Sequence, residues 1–365
     1  MRPRARGQEA ADRQQARGAG LRYVLDTVPG IRRRRRATSF YYVNDRGHRV
    51  RDARTLERIK SLVIPPAWTD VWICPYPNGH LQATGYDKAG RKQYRYDERW
   101  REAQDHAKYQ RLVRFAHALP RIHKRIAADL RRQGLPRRKV LAGVIRLLET
   151  TLIRVGNEEY AETNHSYGLT TMQDRHAKLT AGKVQLDFRG KSQVDHEIAI
   201  SNPGLVRLVR ECRNLPGREL FQYVDSEGAV HDVHADDVND YLRSISGGDF
   251  TAKDFRTWAG TALAAQALQE FEDFDSKAGA RRNIRQAIEQ VAKKLGNTTA
   301  VCRKSYIHPA IFDAYLDHSL AEILKQKAEN TLRKSLHDLS PEEAAVLALL
   351  QQRMARKSTH RSRQS

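Results

Sequence analysis

Only three cysteines occur in 365 residues, and Cys74, Cys212 and Cys302 stand far apart with no C-x-x-C pair among them. That spacing argues against a disulfide framework and a thiolate zinc site, and it fits a reducing cytoplasm. No run of about 18 apolar residues occurs, so no membrane-crossing helix is expected. The opening stretch MRPRARGQEAADRQQARG leads into no apolar segment, and a secretory signal peptide is not expected. Nucleotide-binding loops and H-E-x-x-H metal motifs are missing as well. The letters GKS at 190–192 are no phosphate loop, because Gln185 stands where its first glycine would be. Acidic side chains are the scarcer charge: 43 Asp+Glu face 65 Lys+Arg, a formal net charge of +22 with a sequence pI near 10.1. A hydrophobic content of 40% argues against wholesale disorder. The length accommodates two domains of roughly 100–200 residues each.

A chain this basic needs a polyanionic partner, nucleic acid or an anionic membrane surface, unless it is merely a solvated basic surface. The charge is segregated. Residues 1–36 carry eleven arginines against three acids, residues 91–148 seventeen basic residues against five acids, and residues 351–365 five against none. Residues 219–249 have the opposite bias, eight acids with Arg243 as the lone base. The two ends have few large apolar residues and are expected to be flexible arms. Arg32–Arg36 reads as a localisation-like patch or a phosphate-contacting arm. The middle block sets its charges among helically spaced apolar residues, Leu112, Phe115, Ala116, Leu119, then Leu141, Val144, Ile145, Leu148. A folded basic face of that kind suits a duplex backbone.

Residues 38–96 read as strand-rich. Segments 39–43 and 48–51 flank a turn at Asn44–Gly47, 70–74 is a second strand, and 80–86 and 91–96 flank a further turn. Beyond residue 100 helical periodicity dominates, with helices expected at 100–118, 120–133, 136–154, 203–213, 234–245, 252–271, 277–295, 299–306 and 309–336. One β insertion interrupts them at 183–200. The expected fold is α+β, a small β-rich N-terminal domain and a larger, mainly helical domain with a β-hairpin insertion. The expected boundaries are an arm at 1–21, the β-rich domain at 22–103, the helical domain at 104–345 and a tail at 346–365.

Four places put a cation or an amide where an element ends. Arg154 is expected on the last turn of a helix that runs from Pro136 to Arg154, with Gly156 as the residue beyond its end. Lys191 tips a β-turn. Arg256 follows the capping pair Thr251–Asp254, on a first turn where a cation opposes the helix dipole. Asn297 follows Gly296 at a helix end, and Tyr306 closes the short helix before Pro309. Singly, each has a bland reading: dipole partner, turn lysine, surface cation, packing tyrosine. Asp236, Asp237 and Asp240 read as a solvated helix face, not a metal site.

In this order, Arg154, Lys191, Arg256, Asn297 and Tyr306 resemble the catalytic pentad of type IB DNA topoisomerases, nearest to the compact poxvirus-like group found also in bacteria. The runs IRVGNEEYAETNHSYGLTTM (153–172), FRGKSQVDHE (188–197), KDFRTW (253–258) and LGNTTAVCRKSYIHP (295–309) carry the resemblance. It implies that Tyr306 attacks a DNA phosphodiester, forms a 3′-phosphotyrosyl link and expels a 5′-hydroxyl, relaxing supercoils. Arg154 and Arg256 would hold the phosphate and Lys191 would be the general acid. Asn297 stands where many members have His, and an amide can bind an oxygen but carries no proton for acid–base work. RKQYRY (91–96) is similar to the family's DNA-contacting segment, which implies that Gln93, Tyr94 and Tyr96 touch the major groove, with Tyr160 a further contact. The family implies double-stranded DNA as partner, a monomer clamped around it, no membrane, no cofactor, neither ATP nor metal, and a cytoplasmic, nucleoid-associated site of action. A tyrosine recombinase shares the chemistry, but such enzymes resemble H-x-x-R where this chain has Lys253 before Arg256, and they usually begin with a helical domain. A non-catalytic architectural DNA binder accounts for the charge alone. The missing cysteine pairs disfavour a zinc-dependent type IA topoisomerase.

Overall fold

The computed structural model describes residues 6–361 apart from 38, 181, 272–273 and 325–338. It divides into two compact units, Met1–Gln110 and Arg111–Ser365.

The first unit is built on a five-stranded antiparallel sheet. Its strands are β1 (Ile31–Arg36), β2 (Ser39–Val43), β3 (Thr69–Ile73), β4 (Leu81–Tyr86) and β5 (Lys92–Tyr96), in the order β2-β1-β3-β4-β5. The arginine run is itself a strand. It pairs with β2 along its length, and Ile31 and Arg32 pair with β3. The expected partner of 39–43, residues 48–51, makes only the isolated bridge Val43–Arg49. Five consecutive arginines are tolerable in a strand because long stems lie along the sheet while their heads reach polar groups. Arg33 donates to the carbonyls of Ile64, Pro65 and Trp68 and lies 4.3 Å over the Phe40 ring. On one face Val71, Ile73 and Ala83 pack against Ile59 of α2 (Ala53–Ser61). On the other, Trp72 packs with Val24 and Leu81. Residues 6–18, expected as a flexible arm, form helix α1 (Arg6–Gly18), with Ala16 buried beside Leu21 and Trp100.

Helix α3 (Glu98–Leu130) begins in the first unit and ends in the second. A break was expected at Pro120, yet Pro120 lies inside it. Leu112, Phe115, Leu119, Ile122 and Ile126 continue one buried stripe past the proline, and that packing outweighs the lost backbone hydrogen bond. The second unit centres on α4 (Arg137–Thr151), where Val140 to Ile145, Leu147 and Leu148 are all buried. Only a helix enclosed by others is apolar over so much of its circumference. Its neighbours are α6 (Pro203–Arg213), α7 (Ala235–Ser246) and α8 (Ala252–Gln269). Then come α9 (Lys277–Leu295), α10 (Thr299–Ser305), α11 (Pro309–Leu316) and a C-terminal helix, Pro341–Arg361. Most of the remainder of the expected 309–336 helix, residues 325–338, lies outside the described residues.

Two further segments differ from expectation. The presumed tail beyond 346 belongs to the C-terminal helix, which buries Val346, Leu347, Leu349 and Leu350. Arg353 ties that helix to Asp317 at the end of α11, at 2.6 Å. The acidic stretch 219–249 is more than the solvated helix face expected at Asp236, Asp237 and Asp240. It supplies the hairpin β9 (Gln222–Val224) and β10 (Val230–Asp232) and then α7, whose Val238, Leu242 and Ile245 enter the core. Several of its acids are paired, Asp237 with Arg137 at 2.6 Å and Asp225 with His231 at 2.6 Å.

The β insertion is a three-stranded antiparallel sheet in the order β6 (Ala177–Thr180), β7 (Lys183–Arg189), β8 (Asp195–Ile200). The turn between β7 and β8 carries Lys191.

Candidate active site

Arg154 is not on a helix. Leu152 adopts a left-handed backbone (φ 57°) and ends α4 at Thr151, so Arg154 lies on the extended segment that follows. Its guanidinium crosses to the turn after α9, donating from Nη2 to the Gly296 carbonyl at 3.2 Å and to Oδ1 of Asn297. Gly296, with φ 57°, caps α9 in the left-handed conformation that glycine adopts most readily.

Arg256 sits in the first turns of α8, as expected. That helix starts with a capping interaction in which the Asp254 carboxylate accepts the Thr251 N–H at 2.7 Å, and Arg111 holds the same carboxylate at 2.8 Å. Arg256 is 4% exposed. Nη1 donates to the Leu152 carbonyl at the end of α4, and Nη2 to the Leu295 carbonyl at the end of α9, at 2.7 Å. One fork thus ties two helix C-termini together, and both supply carbonyls that have no acceptor role within their own helices.

Tyr306 is the C-cap residue of α10. Its ring lies 5.3 Å from the Arg256 guanidinium carbon, and both arginines interact with its side chain. Gly260, one turn beyond Arg256, allows this approach: a Cβ there would lie 2.7 Å from the Tyr306 carbonyl oxygen. Thr261 completes the docking. Its hydroxyl donates to the Thr257 carbonyl at 2.8 Å and accepts the His308 N–H at 3.1 Å.

Burial pushes the Arg154 guanidinium below its ordinary value. Burial first, then the neighbouring Arg154, does the same to Arg256. Arginine nevertheless stays protonated at neutral pH, so two like charges are held together in a poorly solvated place. Two donors in the cluster, Nε of Arg256 and Nδ2 of Asn297, are buried without a hydrogen-bond partner among the described residues. Two cations and two unpartnered donors gathered at one point suit the binding of an anion.

Lys191 has no hydrogen bond or ion pair to this cluster among the described residues. It is exposed at the hairpin turn, and its ammonium lies 5.7 Å over the ring of Tyr160. Tyr160, on α5 (Glu158–Asn164), is 50% exposed. The cluster therefore joins Arg154, Arg256, Asn297 and Tyr306, whereas Lys191 and Tyr160 form a separate exposed pair.

The three residues expected on the N-terminal unit do not share a face. Tyr94 and Tyr96 stack at 6.0 Å on one side of β5. Gln93, one residue out of phase, points to the other side and donates to Asp87 at 2.9 Å. Among the described residues, no group of three or more His, Cys, Asp or Glu side chains is placed to hold a metal ion, and no helix is long and apolar enough to cross a membrane.

Sequence reasoning assigned no role to Gly260, Thr261 or His196, although all lie in or beside the quoted runs. Their only signal was adjacency to those runs.

The chain matches the eukaryotic DNA topoisomerase I catalytic-core family over residues 97–335 and the bacterial DNA topoisomerase IB N-terminal-domain family over residues 39–87. It is 33% identical over 296 residues to the DNA topoisomerase 1B of Acanthamoeba polyphaga mimivirus, covering 79% of this chain and 88% of that protein. Identity to the DNA topoisomerase 1B of vaccinia virus (strain Copenhagen) is 23% over 288 residues, 75% of this chain and 86% of the viral protein. A DNA topoisomerase 1 of Mycosarcoma maydis is 20% identical over 248 residues, 62% of this chain and 24% of that protein. With a cluster of two arginines, an amide and a tyrosine in the matched core, the chain belongs to the type IB DNA topoisomerases.

Proposed function

We propose that this enzyme relaxes supercoiled duplex DNA by transient cleavage of one strand at the Arg154–Arg256–Asn297–Tyr306 cluster. The observation that carries the reading is that buried Arg256 and half-buried Arg154 both interact with the side chain of Tyr306, while Asn297, hydrogen-bonded to Arg154, keeps an unpartnered amide donor. The Tyr306 oxygen attacks phosphorus as the bond to the 5′-oxygen breaks, leaving a 3′-phosphotyrosyl link and a free 5′-hydroxyl. The phenolic proton leaves to water and Lys191 supplies an equivalent proton to the 5′-oxygen. Arg154, Arg256 and the Asn297 amide hold the non-bridging oxygens, whose charge grows in the transition state. Preformed guanidinium forks suit that task because they stay charged and match phosphate geometry. The covalent link conserves the bond energy, so ATP is not consumed and religation reverses the same steps.

Lys191 enters this scheme by moving. Duplex binding would draw the Lys191 side chain off the Tyr160 ring and toward the scissile phosphate, while its turn stays in place. Tyr94 and Tyr96 offer a stacked aromatic face toward DNA, and Gln93 serves by holding the β4–β5 turn through Asp87. We further propose a monomer that clamps the duplex and acts on cytoplasmic, nucleoid DNA.

The test is relaxation of supercoiled plasmid by purified protein with EDTA present and ATP absent. Wild type should relax it, and Tyr306→Phe should lose both relaxation and the covalent adduct while still binding DNA. Cleavage by Tyr306→Phe would overturn the nucleophile assignment. Activity only on paired recombination sites would replace relaxation with recombination.

A further inference from the structure

We infer that His196 is a positioning residue for this reaction, a strut whose ring sets the spacing between the Lys191 turn and the Gly296–Asn297 turn. The inference rests on the roles proposed above for Lys191 and Asn297. His196 is the cross-strand partner of Phe188 in the β7–β8 pair, and their rings stack at 5.0 Å and 15°. The rest of the imidazole lies against two glycines. A Cβ on Gly190, the residue before Lys191, would stand 2.7 Å from Cδ2 of His196. A Cβ on Gly296, the residue before Asn297, would stand 2.6 Å from Cε1. Real side chains do not come that close, so the ring fills the space between the two turns and excludes a side chain from both. At Gly190 the ring is the sole reason, because φ is −94°, a value any residue adopts.

Among the described residues the imidazole has no hydrogen-bond partner, so its hold on the turns is steric. Gly296 also accepts the hydrogen bond of Arg154, which means a shift of that turn moves Arg154 and Asn297 together. Arg154, Arg256 and Asp195 are the charged groups around the ring. The two cations and burial favour its neutral form. A ring wedged between the acid-bearing turn and the oxygen-binding turn fixes the distance that proton delivery and phosphate binding must share. A misplacement of about 1 Å in such a constellation is worth on the order of 100-fold in rate.

The experiment is single-turnover cleavage of two duplexes, one with the ordinary 5′-oxygen and one with a bridging sulfur at the scissile position, whose departure needs no proton. His196→Ala should slow the ordinary duplex by about 10- to 100-fold, with much of the loss recovered on the sulfur duplex. His196→Phe keeps the ring and loses the nitrogens, and should stay near the wild-type rate. Gly190→Ala should be slow, and the double variant Gly190→Ala/His196→Ala should be faster than Gly190→Ala alone, since removing the ring relieves the clash. His196→Phe as slow as His196→Ala, or a double variant no faster than Gly190→Ala, would overturn the strut. Lys191→Ala, run alongside, separates the two ideas. If sulfur fails to rescue Lys191→Ala, the general-acid reading falls, while the Gly190–His196 pair still reports on the strut.

Discussion

The two halves of the candidate site are built differently. Arg154, Arg256 and Asn297 are held by backbone and side-chain contacts reaching from the ends of α4 and α9 to the start of α8. Lys191 and Tyr160 are exposed and meet through one cation–ring contact, on a hairpin turn and a short helix. The buried half is preorganised and doubles as structural glue, because the same guanidinium that would bind phosphate also satisfies two helix-end carbonyls. The exposed half is free to adapt to DNA. Electrostatic stabilisation benefits from rigidity, since donors already in place need no reorganisation at the moment of reaction. Proton delivery needs the Lys191 side chain to reach the leaving oxygen from a turn already set at the right distance.

Substitutions test this division, beginning with Arg256→Ala. Cleavage should fall by roughly 1,000- to 100,000-fold, the range for removing an arginine from a phosphoryl-transfer site. Stability should also fall by about 1–3 kcal/mol for each buried carbonyl left unmatched, at Leu152 and Leu295. Arg256→Lys should recover little, since one ammonium cannot reproduce the fork. Single-turnover cleavage and urea unfolding measure both effects, and unchanged stability would refute the structural role. Asn297→Ala comes next, with a loss of about 100- to 1,000-fold, as for one donor in a preformed oxyanion site. Its melting temperature should fall by less than that of Arg256→Ala, because the amide nitrogen has no partner to lose and only the Arg154 hydrogen bond to Oδ1 goes.

Tyr160→Ala probes the exposed half. An exposed cation–ring contact is worth only about 0.5–1 kcal/mol, so cleavage should change by less than about tenfold and the melting temperature should stay the same. A loss as large as that of Asn297→Ala would mean that Lys191 is positioned as tightly as the arginines. The smallest effect concerns pH. Burial, then Arg154 and Arg256, depress the His196 pKa, so the unfolded chain binds more protons than the folded one below the ordinary histidine value near 6.5. The stabilising contribution is complete above about pH 6.5 and is lost as pH falls toward the lowered folded value. Thermal melts of wild type and His196→Phe between pH 8 and 5 should diverge only on the acid side, with wild type losing more. Parallel curves would show that His196 does not titrate differently on folding.

The candidate site was legible in the four ordered motifs, which together supplied five residues of the right type beside a helix end or a hairpin turn. Local signals also placed α8, with its Thr251–Asp254 cap, and α9, ended by Gly296. Other local signals misled. Pro120 signalled a break that the continuous buried stripe of α3 overrode. Gly156 drew the end of α4 too far, because Leu152 turns left-handed four residues earlier. The arginine run read as a charged patch, whereas Arg33 finds three carbonyls and a ring in the folded sheet. The ends read as arms because their few apolar residues are spaced sparsely, yet Ala16, Val346 and Leu350 each find a buried place.

From composition and motif order alone follow a strongly basic chain, a strand-rich front followed by a helical body, and the family resemblance that points to the candidate catalytic groups. These are properties of residue type and local spacing, and they survive whatever the rest of the chain does. Which strand pairs with the arginine run, which face of β5 receives Gln93, and that Arg256 bridges α4 and α9 are matters of tertiary structure. So is the contact of Lys191 with Tyr160, and so is the ring of His196 between two turns. Each of these depends on groups distant in sequence meeting at a fixed distance, and that distance is set by the packing of the whole unit.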